Sequence, residues 1–204
     1  DDGTSKIEGL LASGDLIKIG TIDAQPAKST EDLIVNFTDD IAKEEFRYIG
    51  ESLKNEGVDI ILLETMNSIQ ETKTCLDAVS HLNLPIWVSF VLKDSKSLLS
   101  GENLSNAILA LRGYSADVLL LNCNPLDRTQ DAINIITENW HREWGVYPNL
   151  GIGEPSPDGV IKNIHSNEEF LNSINAALRI GATALGGCCG SDMRHIKLIA
   201  DHSL

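Results

Sequence analysis

Apolar runs rich in β-branched residues alternate with stretches of helical periodicity along the chain: Leu16 to Ile22, Val58 to Leu63, Ile86 to Val91, Val118 to Leu121, Gly145 to Tyr147 and Ala182 to Leu185. Continuous apolar runs, without the polar alternation of a strand that has one wet face, are what parallel strands covered on both sides require. Between them the period changes to that of a helix. Ile69, Thr72, Leu76 and Val79 fall on one helical face, as do Leu104, Ala107, Ile108 and Leu111, and later Phe170, Leu171, Ile174 and Leu178. The pattern predicts a series of βα units.

The boundaries carry their own signals. Ser68 with Glu71, and Ser166 with Glu169, read as capping boxes that satisfy the amides of a first helical turn. Gly57, Gly113 and Gly181 each follow a helical pattern and precede a strand, where a left-handed residue ends a helix. Right-handed parallel crossovers then leave a closed barrel or an open doubly wound sheet. Glu64, Cys123, Asn149 and the pair Cys188-Cys189 each stand just past the carboxyl end of a different predicted strand. A (β/α)8 barrel gathers such ends around a ring, whereas an open sheet spreads them along a line. We therefore expect an α/β fold of the (β/α)8, TIM-barrel type, as a single domain over residues 1–204. Six strand candidates are fewer than eight, and a full barrel of this type takes about 250 residues. One or two βα units are thus expected to be missing at the amino terminus, leaving open barrel edges through which the chain can self-associate.

Composition narrows the partners. The 204 residues are 42% hydrophobic and 23% charged, enough for a substantial core. Thirty acidic residues against 16 basic ones give a formal charge of −14, which repels phosphate backbones and anionic lipids. Nucleic acid and membranes are not expected partners. Four cysteines are too few for a secreted disulfide scaffold, no apolar stretch reaches a membrane-spanning length, and Asp1 to Glu8 lacks the pattern of a signal peptide. A cytoplasmic compartment follows.

The cysteines carry the chemistry. Gly186-Gly187-Cys188-Cys189-Gly190 follows the last predicted strand, and Cys123 follows an earlier one, so three thiols converge at one end of a sheet. Such a set suits a thiophilic metal, zinc above all. A disulfide between neighbours closes a strained ring, which leaves the metal as the better use of the pair. Structural zinc sites take four protein ligands, and no fourth residue is positioned as well as these three. His195, in the helical pattern from Asp192 to Ala200, reads as a surface or capping residue. Cys75 sits in an apolar helical face and reads as a small hydrophobe. A cysteine hydrolase would need a base beside its thiol, and none of the five histidines falls at a strand end next to these cysteines.

Leu62-Leu63-Glu64-Thr65-Met66, Leu121-Asn122-Cys123, Tyr147-Pro148-Asn149 and Gly186-Gly187-Cys188-Cys189-Gly190, in this order and spacing, resemble the homocysteine S-methyltransferase family. The resemblance implies a zinc barrel in which Cys123, Cys188 and Cys189 bind Zn2+ and the thiol of homocysteine takes the fourth position. It implies methyl transfer from a sulfonium, quaternary ammonium or folate donor, with methionine as product. Glu64 then suits the α-ammonium of the substrate, with Thr65 beside it; the alternative for Glu64 is to receive the backbone amides near Asn67 and Ser68. Asn122 and Asn149 orient a ligand or hydrogen-bond a thiolate, or else satisfy loop backbone. The resemblance tips Asn122 toward function. The Gly/Pro-rich segment from Asn149 to Asn163, including Glu154-Pro155-Ser156-Pro157-Asp158-Gly159, is long for a βα loop and reads as a lid or a rigid surface loop. An Asp-Gly-Gly-type motif that holds homocysteine in the family has no counterpart before Leu16, Asp2-Gly3 being a poor match. Gly20-Thr21-Ile22-Asp23 stands where a Gly-Pro element is expected. Two other functions fit the same residues: a noncatalytic zinc-stabilised barrel fragment or accessory subunit, and the homocysteine-activating module of a larger methionine synthase.

Overall fold

The computed structural model describes residues 4–10, 16–23, 39–153, 161 and 163–202. The chain divides into two compact units, Asp1–Ser89 with Ala110–Asp117, and Phe90–Leu109 with Val118–Leu204.

In the first unit, β1 (Thr4–Leu10) pairs antiparallel with β2 (Leu16–Asp23), from Thr4↔Ile22 to Leu10↔Leu16. β2 then runs parallel to β3 (Ile60–Met66), in register from Ile19↔Ile60 to Asp23↔Glu64. With β4 (Ile86–Phe90) the order is β1-β2-β3-β4. Helix α1 (Asp39–Asn55) follows β2 in the chain, and α2 (Ile69–Val79) follows β3. β3 is buried almost throughout, Ile61, Leu63 and Met66 completely, which is the burial that its continuous apolar run predicts. Two aspartates tie down strand starts. Asp59 accepts the Lys18 amide at 2.8 Å, and Asp117 accepts the Ile86 amide at 2.8 Å.

The second unit repeats the βα theme. A small hairpin of β5 (Leu92–Asp94) and β6 (Ser97–Leu98) leads to α3 (Leu104–Ala110). Then β7 (Ala116–Pro125), α4 (Leu126–Asn139), β8 (Glu143–Asn149), α5 (Asn167–Arg179), β9 (Ala184–Leu185) and α6 (Met193–His202) follow in turn. β7, β8 and β9 are parallel and adjacent in that order. Leu119, Leu121, Ile136, Val146, Phe170 and Ile174 form its core, each 0 or 1% exposed.

The predicted boundaries hold in most places. Ser166 and Glu169 form the full capping box, whereas at α2 Ser68 accepts the Glu71 amide but the Glu71 carboxylate reaches one residue further back, to the Asn67 amide at 2.8 Å. Gly57 and Gly181 are left-handed, with φ of 75° and 103°. Gly113 is not; it closes a short 3-10 turn, so the helix there ends by tightening rather than by a left-handed cap. β1 and the β5–β6 hairpin are additions to the six expected strands. Asp2-Gly3 and the segment from Glu154 to Gly159 lie outside the described residues.

Candidate metal centre

β7 and β8 pair regularly as far as Asn122↔Tyr147, and then the register slips to Pro125↔Asn149. Cys123 and Asn124 therefore face Pro148 alone, a β-bulge of the kind that re-aims a side chain at a sheet end. Cys123 occupies the left-handed region with φ of 56°. For an L residue that conformation costs roughly 1–2 kcal/mol, so the surrounding structure must hold it. Asn124, 1% exposed, does so: its Oδ1 accepts the Leu92 amide at 2.7 Å and its Nδ2 donates to the Phe90 carbonyl at 3.3 Å.

The other two cysteines are delivered by β8. The carbonyls of Trp144, Val146 and Pro148 accept in turn from the amides of Thr183, Gly186 and Cys188, at 2.8, 3.0 and 2.9 Å. Proline has no amide to return on that side, so regular pairing stops after Val146↔Leu185 and the chain enters a turn. The Leu150 amide donates to the Cys189 carbonyl at 2.9 Å, and the Ser191 amide and hydroxyl both donate to the Cys188 carbonyl, at 3.0 and 2.6 Å. A Cβ at Gly187 would sit 2.6 Å from the Ser191 hydroxyl oxygen, which explains the bare backbone before the cysteine pair.

The three thiols meet. Their sulfurs all lie within 4.8 Å of one another, with Cys123 Sγ 3.3 Å from Cys189 Sγ and Cys188 Sγ 3.9 Å from Cys189 Sγ. Sulfurs bound tetrahedrally at about 2.3 Å from a zinc ion stand about 3.8 Å apart, a spacing that the separations of 3.3 and 3.9 Å bracket. Without a cation the cluster resists ionisation. The Cys188 thiol is pushed well above the ordinary range by its hydrogen bond with Cys123, by burial and by the charges of Cys123 and Cys189. The Cys189 thiol is raised by burial first and then by Cys123. Thiolates crowded this way repel one another, and a divalent cation turns that repulsion into ligation.

Glu64 is half-buried near the end of β3. Of the amides near the start of α2, that of Asn67 is taken by the Glu71 carboxylate and that of Glu71 by the Ser68 hydroxyl. Thr65 has φ of 60°, unusual for a β-branched residue, and its amide donates to the Ser89 hydroxyl at 3.1 Å. Asn122 is buried beside Cys123. Asn149 turns its Oδ1 to the Gly151 amide at 2.7 Å and so shapes the loop that follows. That loop is closed at its base by the pairing of Gly151 with Ile164. Of the two readings of His195, surface or capping, the structure bears out capping. The residue caps α6, its Nδ1 accepting the Asp192 amide at 3.0 Å in the manner of a capping-box glutamate, but it is 3% exposed and packs edge-on against Phe170 rather than lying at the surface. Cys75 is fully buried in α2, and burial raises its thiol pKa. Asn124 and Ser89 were not legible as site residues. An Asn before Pro at a strand end is a turn signal, but its partners lie more than thirty residues away in sequence.

Parallel βα units ending in a cluster of three thiols define an α/β protein with three cysteines placed to hold a metal ion. The family model for homocysteine S-methyltransferase matches residues 10–203, and the chain belongs to that family. It is 30% identical over 145 residues to the homocysteine S-methyltransferase of Escherichia coli K12, covering 68% of this chain and 46% of that one. It is 26% identical over 152 residues to the selenocysteine Se-methyltransferase of Brassica oleracea, covering 72% and 44%. The chain thus spans about half the length of the curated relatives it matches. Among solved structures it resembles the apo form of the E. coli homocysteine methyltransferase MmuM, with a TM-score of 0.72 at 23% identity over 93% of this chain and 64% of that one. For the metallated form of MmuM the TM-score is 0.67 at 23% identity, covering 82% and 53%. The fold class is the α/β, TIM-barrel type expected from the sequence. Among the described residues, no helix is long and apolar enough to cross a membrane.

Proposed function

We propose that the protein carries a zinc centre of the three-cysteine type and transfers a methyl group to the thiol of homocysteine, giving methionine. The observation that carries this reading is the cluster of Cys123, Cys188 and Cys189, whose sulfur separations suit one tetrahedral ion with a position left for a substrate sulfur. Bound there, zinc lowers the pKa of the acceptor thiol while three thiolate donors keep its sulfur electron-rich. Cys188 and Cys189 hold their places through backbone bonds to Pro148 and Leu150. Glu64 is assigned to the substrate α-ammonium, with Thr65 beside it. The Asn67 amide, one of the competing partners for that carboxylate, is taken by Glu71, which supports the assignment. Asn122 is assigned to orienting the acceptor and Asn149 to binding the substrate. In the transfer, the acceptor sulfur attacks the methyl carbon in line. The new S–C bond forms as the donor's bond to that carbon breaks, and the electron pair leaves with the donor.

The donor class is a sulfonium, a quaternary ammonium or a methylated folate, and the compartment we propose is the cytoplasm, where thiols stay reduced. A second reading keeps the site and changes the acceptor to a selenol, as the likeness to the selenocysteine Se-methyltransferase suggests. Isotope-labelled methyl donors of the three classes, offered in parallel with homocysteine or selenocysteine to zinc-loaded protein, test both. Labelled methionine that disappears in Cys189→Ser supports the first, and label in methylselenocysteine alone supports the second. Metal binding without any transfer would favour an accessory zinc module.

A further inference from the structure

We infer that Asn124 is a positioning residue for the metal centre, its side-chain amide holding Cys123 in the left-handed conformation from which its thiol meets Cys189. The inference rests on the reading of the cysteine cluster as a metal site. Cys123 is bracketed by two fixed neighbours. Asn122 is held in register with Tyr147, and Asn124 is held by its side chain to the backbone on both sides of the break between β4 and β5. The amide behaves there as a missing peptide unit, accepting from Leu92 N–H and donating to Phe90 C=O. Both residues are buried, 1% and 0% exposed, so neither backbone group has water to turn to if the amide is removed. The main chain of Asn124 is fixed as well, since the buried Thr129 hydroxyl lies 3.2 Å from its carbonyl and 2.9 Å from that of Pro125. Only asparagine combines a donor and an acceptor at this reach; aspartate keeps the acceptor and loses the donor.

The test compares Asn124→Ala with Arg128→Met and wild type in two measurements. Arg128 grips the same hairpin from another side, donating to the Leu92 carbonyl at 2.8 Å. The first measurement is cobalt(II) and zinc(II) affinity by chelator competition, with the thiolate-to-cobalt charge-transfer band counting bound sulfurs. Asn124→Ala should lose about 10–100-fold in affinity and one thiolate's share of the band, as removal of a partner behind a ligand does. Arg128→Met should stay near wild type. The second needs no metal: the rate at which a mild diazene oxidant joins Cys123 to Cys189, their sulfurs 3.3 Å apart, should fall about tenfold in Asn124→Ala. Equal affinity, band and cross-linking in folded Asn124→Ala would overturn the inference, as would an equal loss in Arg128→Met. If wild type binds no metal while Asn124→Ala still slows cross-linking, the metal reading falls and the positioning role of Asn124 stands. Should Asn124→Ala fail to fold, hydrogen exchange of the Leu92 amide in wild type decides. Slower exchange with zinc supports coupling between the metal and the Asn124 clamp, and unchanged exchange contradicts it.

Discussion

Gly145→Ala is a severe test of how the cysteine pair is delivered. Gly145 lies opposite Ala184 in the short β8–β9 ladder. A Cβ added there would overlap the Ala184 carbonyl oxygen and lie 2.6 Å from its carbonyl carbon and 2.7 Å from its Cβ. Relief requires β9 to retreat by about 1 Å, because the obstacle is backbone with no rotamer to change. That movement stretches the two flanking bonds, Thr183 N–H to Trp144 C=O at 2.8 Å and Gly186 N–H to Val146 C=O at 3.0 Å. Each lost bond is worth about 1 kcal/mol and the overpacking about 1–3 kcal/mol, giving about 3–5 kcal/mol in all. For a chain of this size that corresponds to a fall in Tm of about 6–20 °C. Urea melts of the metal-free protein measure the loss, and zinc affinity should fall with it because β9 leads directly into Cys188. Adding Ala184→Gly should not rescue the variant, since the carbonyl remains. A loss under about 1 kcal/mol, or full rescue by Ala184→Gly, would refute this account of the ladder.

Three further outcomes follow from particular residues. Thr65→Gly should raise stability by about 1 kcal/mol by relieving a left-handed β-branched residue, while weakening substrate binding if the strain serves the site; melts and KM separate the two effects. Glu169 has its pKa lowered to about 2 by the Ser166 amide first, then the Ser166 hydroxyl and His165. A lowered folded-state pKa gives stability that is complete above the ordinary carboxylate value and is lost as pH falls toward about 2, so Glu169→Gln should flatten the stability–pH curve below about pH 4.5 and leave it unchanged in shape above. Because the Cys188 and Cys189 thiols are raised in the metal-free protein, metal binding must expel protons. Zinc affinity should therefore rise steeply with pH between about 6 and 8, with protons released into a weakly buffered calorimeter cell; a pH-independent affinity would mean that the thiols are not the ligands.

Much of the fold was legible because its strands are covered on both faces, which makes their apolar runs continuous, as at Ile61 to Leu63. β1 was not, since Thr4-Ser5-Lys6-Ile7-Glu8-Gly9 is mostly polar and its pairing to β2 is antiparallel. The convergence of the three cysteines was also legible, because βα units bring strand ends together whatever the details of their loops. The bulge at Cys123 was hidden. It depends on Asn124 reaching Phe90 and Leu92, contacts that no local period encodes. His195 shows the limit of polarity as a guide: its capping role follows from the spacing to Asp192, but its burial follows from Phe170, a residue on the preceding helix.

The most direct test is zinc content per chain in wild type, Cys123→Ser, Cys188→Ser and Cys189→Ser, with X-ray absorption at the zinc edge before and after homocysteine is added. One zinc with three sulfur neighbours, reduced or lost in every variant and gaining a fourth sulfur from homocysteine, is the predicted result. Four protein ligands at the outset with no change on adding homocysteine, or no zinc in wild type, would contradict it.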